Sequence, residues 1–170
     1  GMRIWDLGCG PEALVTRYLR QRADVEIVAS DADLDSVNRA RRAVAGGVPV
    51  VHSDLGEAIT GNFDLVLFNA PYLPLGAPEL LPPGLPAGPE RESYQRRLGG
   101  GGDGAETMRR FLNQVGAFLA PGGRALLGWN RYYVPYPPFS REIDATAGLR
   151  RTASHQIWWN PSVVVVLEVA

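Results

Sequence analysis

Four consecutive residues, the tetrad Asn69-Ala70-Pro71-Tyr72, combine groups that could act together on a planar nitrogen. The tetrad follows an apolar run at 63–68, so an amide, a backbone carbonyl and an aromatic ring stand where a strand ends. An amide or exocyclic amine nitrogen is a poor nucleophile because its lone pair is delocalised. Two acceptors aimed at its N–H groups would fix it and favour the charge that develops as it attacks an electrophilic methyl group.

Each residue of the tetrad has its own expected role. The Asn69 side-chain oxygen and the Ala70 carbonyl are the two acceptors, and Pro71 keeps Ala70 extended because a residue before proline avoids the helical region. Tyr72 offers a flat wall to a planar acceptor. The sequence therefore predicts an acceptor site that needs no acid or base. A proline-containing strand exit, with Asn69 as a turn former, is the alternative interpretation.

The glycine loop Asp6-Leu7-Gly8-Cys9-Gly10 follows a short apolar stretch near the start of the chain. Glycines there let the backbone approach a ligand closely, and such a loop is typical of nucleotide-type cofactor sites. Cys9 is the one cysteine in the sequence, so it has no partner for a disulfide. We interpret it as a small loop filler rather than a metal or redox group, and we expect no metal site.

Two aspartates complete the expected cofactor site. Asp31 follows the second apolar strand and is placed to accept hydrogen bonds from ribose hydroxyls, while Asp54 follows the third and could receive an adenine amino group. The glycine loop and Ala13 also fit the dinucleotide pattern G-x-G-x-x-G/A, so a dehydrogenase is a rival interpretation. Against it stand Asp6, an acid where dinucleotide strands are apolar, and the tetrad, which hydride transfer does not need.

Alternating strands and helices must bring these groups together. Short apolar stretches predict strands at 3–7, 25–29, 49–52 and 63–69. Helical spacing predicts helices between them, one beginning at Pro11 and one capped by Asp33. A βαβ series predicts a parallel, doubly wound sheet with ligands beyond the carboxyl ends of its strands. If the first and fourth strands are neighbours, the glycine loop and the tetrad face one crevice.

The C-terminal half predicts helical structure over 108–119, a fifth strand at 124–128, a weak helix at 140–147 and a final β-hairpin. We expect the hairpin to turn at Asn160-Pro161, so that alternation sends one ring of Trp158 and Trp159 inward and the other outward. Residues 73–104 are rich in proline and glycine and predict a long loop. We hypothesise that this loop closes on substrate as a lid.

Composition limits the kinds of protein to consider. With 170 residues, 45% of them apolar, we expect one catalytic domain over residues 1–170. All 17 basic residues are arginines and the net charge is -1, which does not favour binding of nucleic acid through the overall field but leaves a local patch open. No stretch is long and apolar enough to predict a membrane span or a signal peptide, so we expect a cytoplasmic protein without membrane partners.

The ordered set of motifs resembles the class I S-adenosylmethionine-dependent methyltransferases, specifically the HemK-like branch that methylates glutamine in translation release factors. The resemblance rests on the glycine loop, on Asp31 and Asp54 with their neighbours, on the tetrad, and on residues 102–104 and 110–112. It covers essentially the whole chain. The set in this order is specific, whereas each member alone is not.

The resemblance implies an α/β fold, a Rossmann-like and mostly parallel sheet of seven strands in the order 3-2-1-4-5-7-6 with an antiparallel C-terminal hairpin. It implies S-adenosyl-L-methionine as cofactor and a release factor as protein acceptor. Some relatives also work with a small zinc-binding activating subunit. The implied cofactor contacts are Asp6, Gly8, Cys9, Gly10, Asp31, Asp54 and Asn69, and the implied catalytic residues are Asn69, Ala70, Pro71 and Tyr72.

The chain departs from the family pattern in three respects. Ala70 replaces the first proline of the usual Asn-Pro-Pro-Tyr tetrad, which keeps the acceptor carbonyl but loses some rigidity. Glu12 stands where the glycine loop usually has a third glycine, and we expect its charge near the methionine end of the cofactor. The helices that usually precede the first strand and cover the cofactor are not expected here.

Two further functions stay open at this point. The same tetrad would serve an exocyclic amine of an RNA or DNA base, either adenine N6 or guanine N2. A cofactor-binding or scaffold protein without catalysis is the alternative from another class, with Trp158 and Trp159 or the proline-rich loop contacting partners.

Overall fold

The computed structural model describes residues 1–22, 24–76 and 88–170, and these contain a seven-stranded sheet of order β3-β2-β1-β4-β5-β7-β6. The strands are β1 (Met2–Leu7), β2 (Val25–Asp31), β3 (Val50–His52), β4 (Phe63–Asn69), β5 (Leu119–Asn130), β6 (Leu149–Ile157) and β7 (Asn160–Val169). The first five strands pair in parallel, and β7 runs antiparallel to β5 and β6. The expected fold and strand order are confirmed.

Five α-helices connect the strands in the described residues. They are α1 (Leu14–Leu19), α2 (Leu34–Val44), α3 (Pro89–Leu98), α4 (Glu106–Leu112) and α5 (Tyr136–Asp144), with a 3-10 turn at Val115–Phe118 after α4. The Asp33 side chain caps α2 as expected, because its carboxylate accepts a hydrogen bond from the Ser36 N–H at 2.9 Å. None of the helices described combines the length and apolar character needed to cross a bilayer.

The register of β1 and β4 decides where the two candidate motifs meet. Leu7, the last residue of β1, pairs with Phe68, the penultimate residue of β4. The glycine loop and the tetrad therefore leave the sheet side by side at its carboxyl edge, where parallel α/β sheets bind ligands.

Apolar side chains on both faces of the sheet form the core. One face packs Trp5, Phe63, Phe111 and Leu127 with residues of α4 and α5, and the other packs Ala29 with α2. The buried Trp5 indole donates a hydrogen bond to the Ser30 hydroxyl at 2.8 Å, which satisfies both groups within the core.

Helix α1 differs from the expectation in its start and its buried face. Pro11 lies in a turn, Ala13 adopts a left-handed conformation with φ of 44°, and the helix begins at Leu14. The polar Thr16 faces the core, whereas Leu14 and Tyr18 are exposed. The buried Asp6 carboxylate explains this orientation, because it accepts hydrogen bonds from both the N–H and the hydroxyl of Thr16.

The C-terminal hairpin turns two residues earlier than expected. Ile157 pairs with Asn160, so Trp158 and Trp159 form the turn and both rings are exposed, rather than one buried and one exposed. A strand buries alternate residues, and here Val163, Val165 and Leu167 of β7 are fully buried. Burying these three side chains sets the register, and the turn position follows from it.

The segment expected to be a long loop, residues 73–104, contains helix α3. Residues 77–87 of that segment lie outside the described part of the chain. After α3 the backbone returns to the tetrad, since Leu73 and Gly99 form a parallel bridge.

Candidate active site

A cleft of about 500 Å³ opens at the carboxyl ends of β1, β2 and β4. Six residues of the expected site line it: Gly8, Gly10, Asp31, Asp54, Asn69 and Pro71. The other four, Asp6, Cys9, Ala70 and Tyr72, are not among the described lining residues. The structure thus brings the glycine loop, both aspartates and the tetrad to one place.

The glycine loop is held open by its backbone conformation and by Asp31. Gly8 and Gly10 have φ of 67° and 66°, which favours glycine, and a Cβ on Gly8 would lie 3.3 Å from the Phe68 ring. The Gly10 N–H donates to the Asp31 carboxylate at 2.9 Å. The loop backbone therefore forms one wall of the cleft without side chains in the way.

Asp31 occupies the position expected of a ribose ligand. One carboxylate oxygen accepts from the Gly10 N–H and the other from the Asp33 N–H, each at 2.9 Å. Burial raises the pKa of the Asp31 carboxyl above its ordinary value, although the two N–H donors act in the opposite direction. A carboxylate accepts several hydrogen bonds at once, so Asp31 can still receive donors from the cleft.

Asp6 lies below the glycine loop rather than on the surface of the cleft. Its carboxylate is buried and binds Thr16 of α1, and burial raises the pKa of Asp6 despite those hydrogen bonds. Asp6 thus fixes α1 to the end of β1 and orients the loop above it. A direct contact between Asp6 and the cofactor stays a prediction.

Cys9 packs against the smaller core cluster while its N–H donates to the Ser30 carbonyl at 2.9 Å. Burial, with the nearby charges of Asp31 and Asp6, raises the pKa of the Cys9 thiol to about 12. The thiol is therefore protonated at neutral pH and is not a nucleophile. This agrees with its interpretation as a loop filler.

Asp54 reaches the cleft but is paired with a residue that sequence reasoning did not assign to the site. The Arg110 guanidinium of α4 donates to the Asp54 carboxylate at 2.8 Å, and both residues line the cleft. The ion pair ties the loop after β3 to α4. An adenine amino group that binds Asp54 would share its carboxylate with Arg110.

Backbone hydrogen bonds fix the tetrad from both sides. The Ala70 N–H donates to the Gly128 carbonyl of β5 at 2.9 Å, and the Leu98 carbonyl accepts from the N–H groups of Tyr72 and Leu73 at 3.0 and 2.7 Å. Neither the Asn69 side chain nor the Ala70 carbonyl has a hydrogen-bond partner among the described residues. Asn69 is exposed and lines the cleft, so its side chain is open to a ligand, whereas Ala70 is buried behind the lining.

Two glycines of the segment after α3, Gly100 and Gly104, pack directly beneath the tetrad. A Cβ on Gly100 would lie 2.1 Å from the Gly104 carbonyl oxygen and 2.8 Å from that of Pro71. A Cβ on Gly104, which has φ of 82°, would lie 2.5 Å from the Tyr72 carbonyl oxygen. Sequence reasoning treated these glycines as part of a loop, whereas only glycine lets the two backbones approach this closely.

The Tyr72 ring is held on one face by another aromatic ring. Tyr72 and Tyr133 stack with centroids 5.4 Å apart and planes at 17°, and the Asn130 side chain hydrogen-bonds the Tyr72 hydroxyl. Burial raises the pKa of the Tyr72 hydroxyl, so it is protonated at neutral pH. The ring is therefore fixed in orientation, as a wall for a planar acceptor requires.

Helix α3 supplies the part of the cleft that the sequence did not reveal. Tyr94, Arg96, Arg97 and Leu98 line it opposite the glycine loop. The positive charge of Arg97 acts on Asp31 and favours its ionised form. Tyr94, Arg96 and Arg97 lie close together in the sequence, but the prediction of a long loop over residues 73–104 does not place them at the cleft.

Glu12 points away from the position expected for it. Its carboxylate pairs with the Arg39 guanidinium of α2 at 2.9 Å, and both side chains are largely exposed. Among the described residues that line the cleft, Glu12 does not occur. The expected effect of the Glu12 charge on the cofactor stays a prediction. No cluster of three or more potential metal-ligating side chains converges within the described ranges.

Residues 1–76 match the family described as the methyltransferase small domain. The chain is 32% identical over 133 residues to the ribosomal protein uL3 glutamine methyltransferase of Neisseria meningitidis, which covers 74% of this chain and 42% of that protein. It is 34% identical over 128 residues to the release factor glutamine methyltransferase of Rhodospirillum rubrum, which covers 72% of this chain and 38% of that protein. The chain spans less than half the length of either relative.

Solved structures agree at the level of the fold. The Mtq2-Trm112 complex of E. cuniculi, described as responsible for methylation of the termination factor eRF1, matches with a TM-score of 0.64 and 21% identity over 99% of this chain and 85% of that one. The ribosomal protein L11 methylase of Lactobacillus delbrueckii matches with a TM-score of 0.67 and 14% identity over 99% of this chain and 69% of that one. These structures show the fold alone; it is the match to the family model and to the two glutamine methyltransferases that shows that the chain belongs to the methyltransferases, in their HemK-like branch.

Proposed function

We propose that this chain transfers a methyl group from S-adenosyl-L-methionine to the side-chain amide nitrogen of a glutamine in a protein of the translation machinery, a release factor in the first place. The observation that carries the proposal is the exposed Asn69 side chain, which has no partner among the described residues and lines a cleft walled by the glycine loop, with the Ala70 carbonyl next to it in the chain. The names of the relatives support a glutamine acceptor. Such proteins occur in the cytoplasm, where we place the activity.

The described residues fit the cofactor in size and in chemistry. A cleft of about 500 Å³ lies within the range of small-molecule sites. The Asp31 carboxylate would receive the ribose hydroxyls, Asp54 the adenine amino group, and the backbone of Gly8 and Gly10 would allow close approach. When bound, S-adenosyl-L-methionine supplies an electrophilic methyl group on a sulfonium.

The acceptor amide would be held by two oxygens. The Asn69 side-chain oxygen and the Ala70 carbonyl would each accept one N–H of the glutamine amide, and the Tyr72 ring would lie against its plane. As the nitrogen takes the methyl group, the sulfur would keep the electron pair of the broken C–S bond and positive charge would grow on the nitrogen, until one N–H proton is released to water. Both oxygens would stabilise that charge more than they stabilise the neutral amide. The backbone bonds of Ala70 and Tyr72 keep these groups in place before the acceptor arrives.

The position of residues 88–104 supports the hypothesis that the segment 73–104 covers the cleft as a lid. Helix α3 places Arg96 and Arg97 across the cleft from the glycine loop, and the Leu98 carbonyl binds the tetrad backbone. Closure over the cofactor would exclude water from the methyl donor. The proposal treats residues 1–170 as one catalytic domain.

The test is a methylation assay with the purified chain, S-adenosyl-L-methionine and a recombinant bacterial release factor. Since the E. cuniculi neighbour is a complex of two chains, the assay is repeated with the second chain of that complex. We expect tryptic peptide masses to place one added methyl group on a glutamine. Methylation of an RNA substrate but of no protein, or binding of the cofactor without turnover on either, would refute the proposed acceptor.

A further inference from the structure

An exposed aromatic groove lies next to the tetrad, at the end of β5 and the tip of the β6–β7 hairpin. Its rings are Tyr132, Tyr133, Trp158 and Trp159, and it has a volume of about 700 Å³. Tyr132, Trp158 and Trp159 are 74%, 84% and 71% exposed. Exposure of a tryptophan ring to water is unfavourable because the ring is largely apolar. A contiguous set of exposed rings therefore marks an interaction site more often than a free surface.

The groove is ordered by its own contacts. The Arg131 guanidinium donates to the Gln156 side chain at 2.9 Å and to the Trp158 carbonyl at 3.4 Å, while the Arg131 N–H donates to the Pro161 carbonyl at 2.8 Å. These bonds join the loop after β5 to the hairpin tip. The rings of Trp158 and Trp159 meet edge to face with centroids 5.2 Å apart. A surface that is arranged in advance loses less entropy when a partner binds.

The groove is continuous with the acceptor site through two residues. Tyr133 stacks on Tyr72 of the tetrad on one side and meets Tyr132 edge to face on the other, with centroids 5.2 Å apart. The Asn130 side chain hydrogen-bonds the Tyr72 hydroxyl and also accepts the Tyr132 N–H at 2.9 Å. A molecule seated in the groove would therefore lie alongside the residues that hold its reacting nitrogen.

We propose that the aromatic groove is the docking surface for the folded part of the acceptor protein, outside the loop that carries the methylated glutamine; this rests on the proposed function. The partner surface that fits is apolar, with aliphatic or aromatic side chains beside polar backbone. Tryptophan, tyrosine and arginine are the residues that dominate the energy of protein interfaces, and the groove presents all three.

Charge favours a protein over a nucleic acid in the groove. Nucleic acids are bound chiefly through arginine and lysine on phosphates. The described lining holds a single cationic side chain, Arg131, whose guanidinium is already bonded to the hairpin. Stacking of bases on the rings would thus lack the phosphate contacts that normally accompany it.

The experiment compares wild type with the double variant Trp158→Ala/Trp159→Ala on two acceptors. These are the recombinant release factor and a peptide of about ten residues centred on its methylated glutamine, which lacks the folded part of the acceptor that the groove is proposed to bind. We expect KM for the release factor to rise at least about tenfold with kcat unchanged, and KM for the peptide to stay the same. The affinity for S-adenosylhomocysteine should not change.

The matched control is Tyr18→Ala, which removes an exposed ring from α1, away from the groove. It should leave both KM values unchanged. If wild type turns over the release factor and the double variant has the same KM for it, the groove is not the docking surface, while the proposed function stands. Absence of wild-type turnover on both acceptors would refute the function and the docking surface with it.

Wild type and the double variant also test two other possible occupants of the aromatic groove, a nucleic acid and a second copy of the chain. Tryptophan emission is followed while a single-stranded RNA oligonucleotide is added, and a change that the double variant lacks would assign the groove to nucleic acid. Sedimentation of both proteins reports self-association. A wild-type dimer that becomes a monomer in the double variant would assign the groove to a second copy of the chain. Each of these results would overturn the proposal.

Discussion

At the residue scale, the site depends on which polar atoms the fold leaves without partners. Of the tetrad, the N–H groups of Ala70 and Tyr72 are used to hold the backbone, whereas the Asn69 amide and the Ala70 carbonyl have no partner among the described residues. The donors therefore anchor the tetrad backbone, and ligand binding by the two oxygens stays a proposal, for which the exposed Asn69 is the better placed. A glutamine amide carries two N–H donors, so it would suit a site that offers oxygen acceptors.

Replacing Asn69 with alanine should separate binding from catalysis. Asn69→Ala removes one of the two oxygens that orient the amide, so we expect turnover to fall by about 100-fold or more, the usual effect of losing one preorganised group. The affinity for S-adenosylhomocysteine, measured by calorimetry, should change by no more than about twofold, because the glycine loop and Asp31 remain.

Asn38→Ala is the matched control, since Asn38 is exposed on α2 outside the cleft. It should leave turnover unchanged. Full activity in Asn69→Ala would show that the amide does not orient the acceptor.

Asp31 should make cofactor binding sensitive to acid. The ribose hydroxyls need the ionised carboxylate, and burial raises the pKa of Asp31 above the ordinary aspartate value. Protonation therefore begins at a higher pH than for an exposed aspartate, and affinity should be complete above the raised pKa and fall as the pH drops through it.

Calorimetric titration of S-adenosylhomocysteine from about pH 8 down to the lowest pH at which circular dichroism shows the native fold measures this effect. Asp31→Asn, which cannot titrate, should bind more weakly and with a flatter pH dependence. The same steep dependence in Asp31→Asn would assign the titration to another group.

At the element scale, the segment after α3 is the support of the tetrad rather than a free loop. The Leu98 carbonyl binds two N–H groups of the tetrad region, and Gly100 and Gly104 let the chain pass directly beneath Pro71 and Tyr72. Helix α3 therefore connects the cofactor cleft to the acceptor site. A displacement of α3 would therefore shift the tetrad through these backbone contacts.

Gly100→Ala tests this support. The added methyl would lie 2.1 Å from the Gly104 carbonyl oxygen and 2.8 Å from that of Pro71, so the backbone beneath the tetrad must shift. We expect turnover to fall by at least about tenfold, because small displacements of an oriented group cost large factors in rate. Circular dichroism should retain the native spectrum.

Gly102→Ala, two residues on, is its control because nothing lies within 4 Å of a Cβ there. This variant should keep wild-type turnover. Equal rates for the two variants would mean that the packing beneath the tetrad does not set its geometry.

At the scale of the whole molecule, the cleft joins elements that are far apart in sequence, so a ligand should stabilise the entire fold. A ligand that binds only the folded state, present at about 100 times its Kd, adds about 2.7 kcal/mol of stability. For a chain of 170 residues this should raise Tm by roughly 5–10 °C. We expect that increase with S-adenosylmethionine or S-adenosylhomocysteine and no increase with NAD.

A thermal-shift comparison of the three ligands measures the effect on wild type and on Asp31→Ala, which should lose most of it. If NAD raised the Tm and the other two ligands did not, the glycine loop would be a dinucleotide-binding loop. That result would contradict the proposed role of the tetrad in methyl transfer.

Local rules were enough to predict the parallel sheet, the glycine loop, the cap of α2 and the tetrad, because apolar periodicity, the left-handed freedom of glycine and the restriction before proline act between near neighbours in the chain. The order of the seven strands came from the family resemblance, which the sheet confirms. The folded chain was needed to find that α3 lines the cleft, that Asp6 binds Thr16, that Arg110 pairs with Asp54, and that both tryptophans of the hairpin turn are exposed. These outcomes depend on contacts between residues far apart in the chain. The packing of β7, for instance, sets the hairpin register and with it the position of the turn.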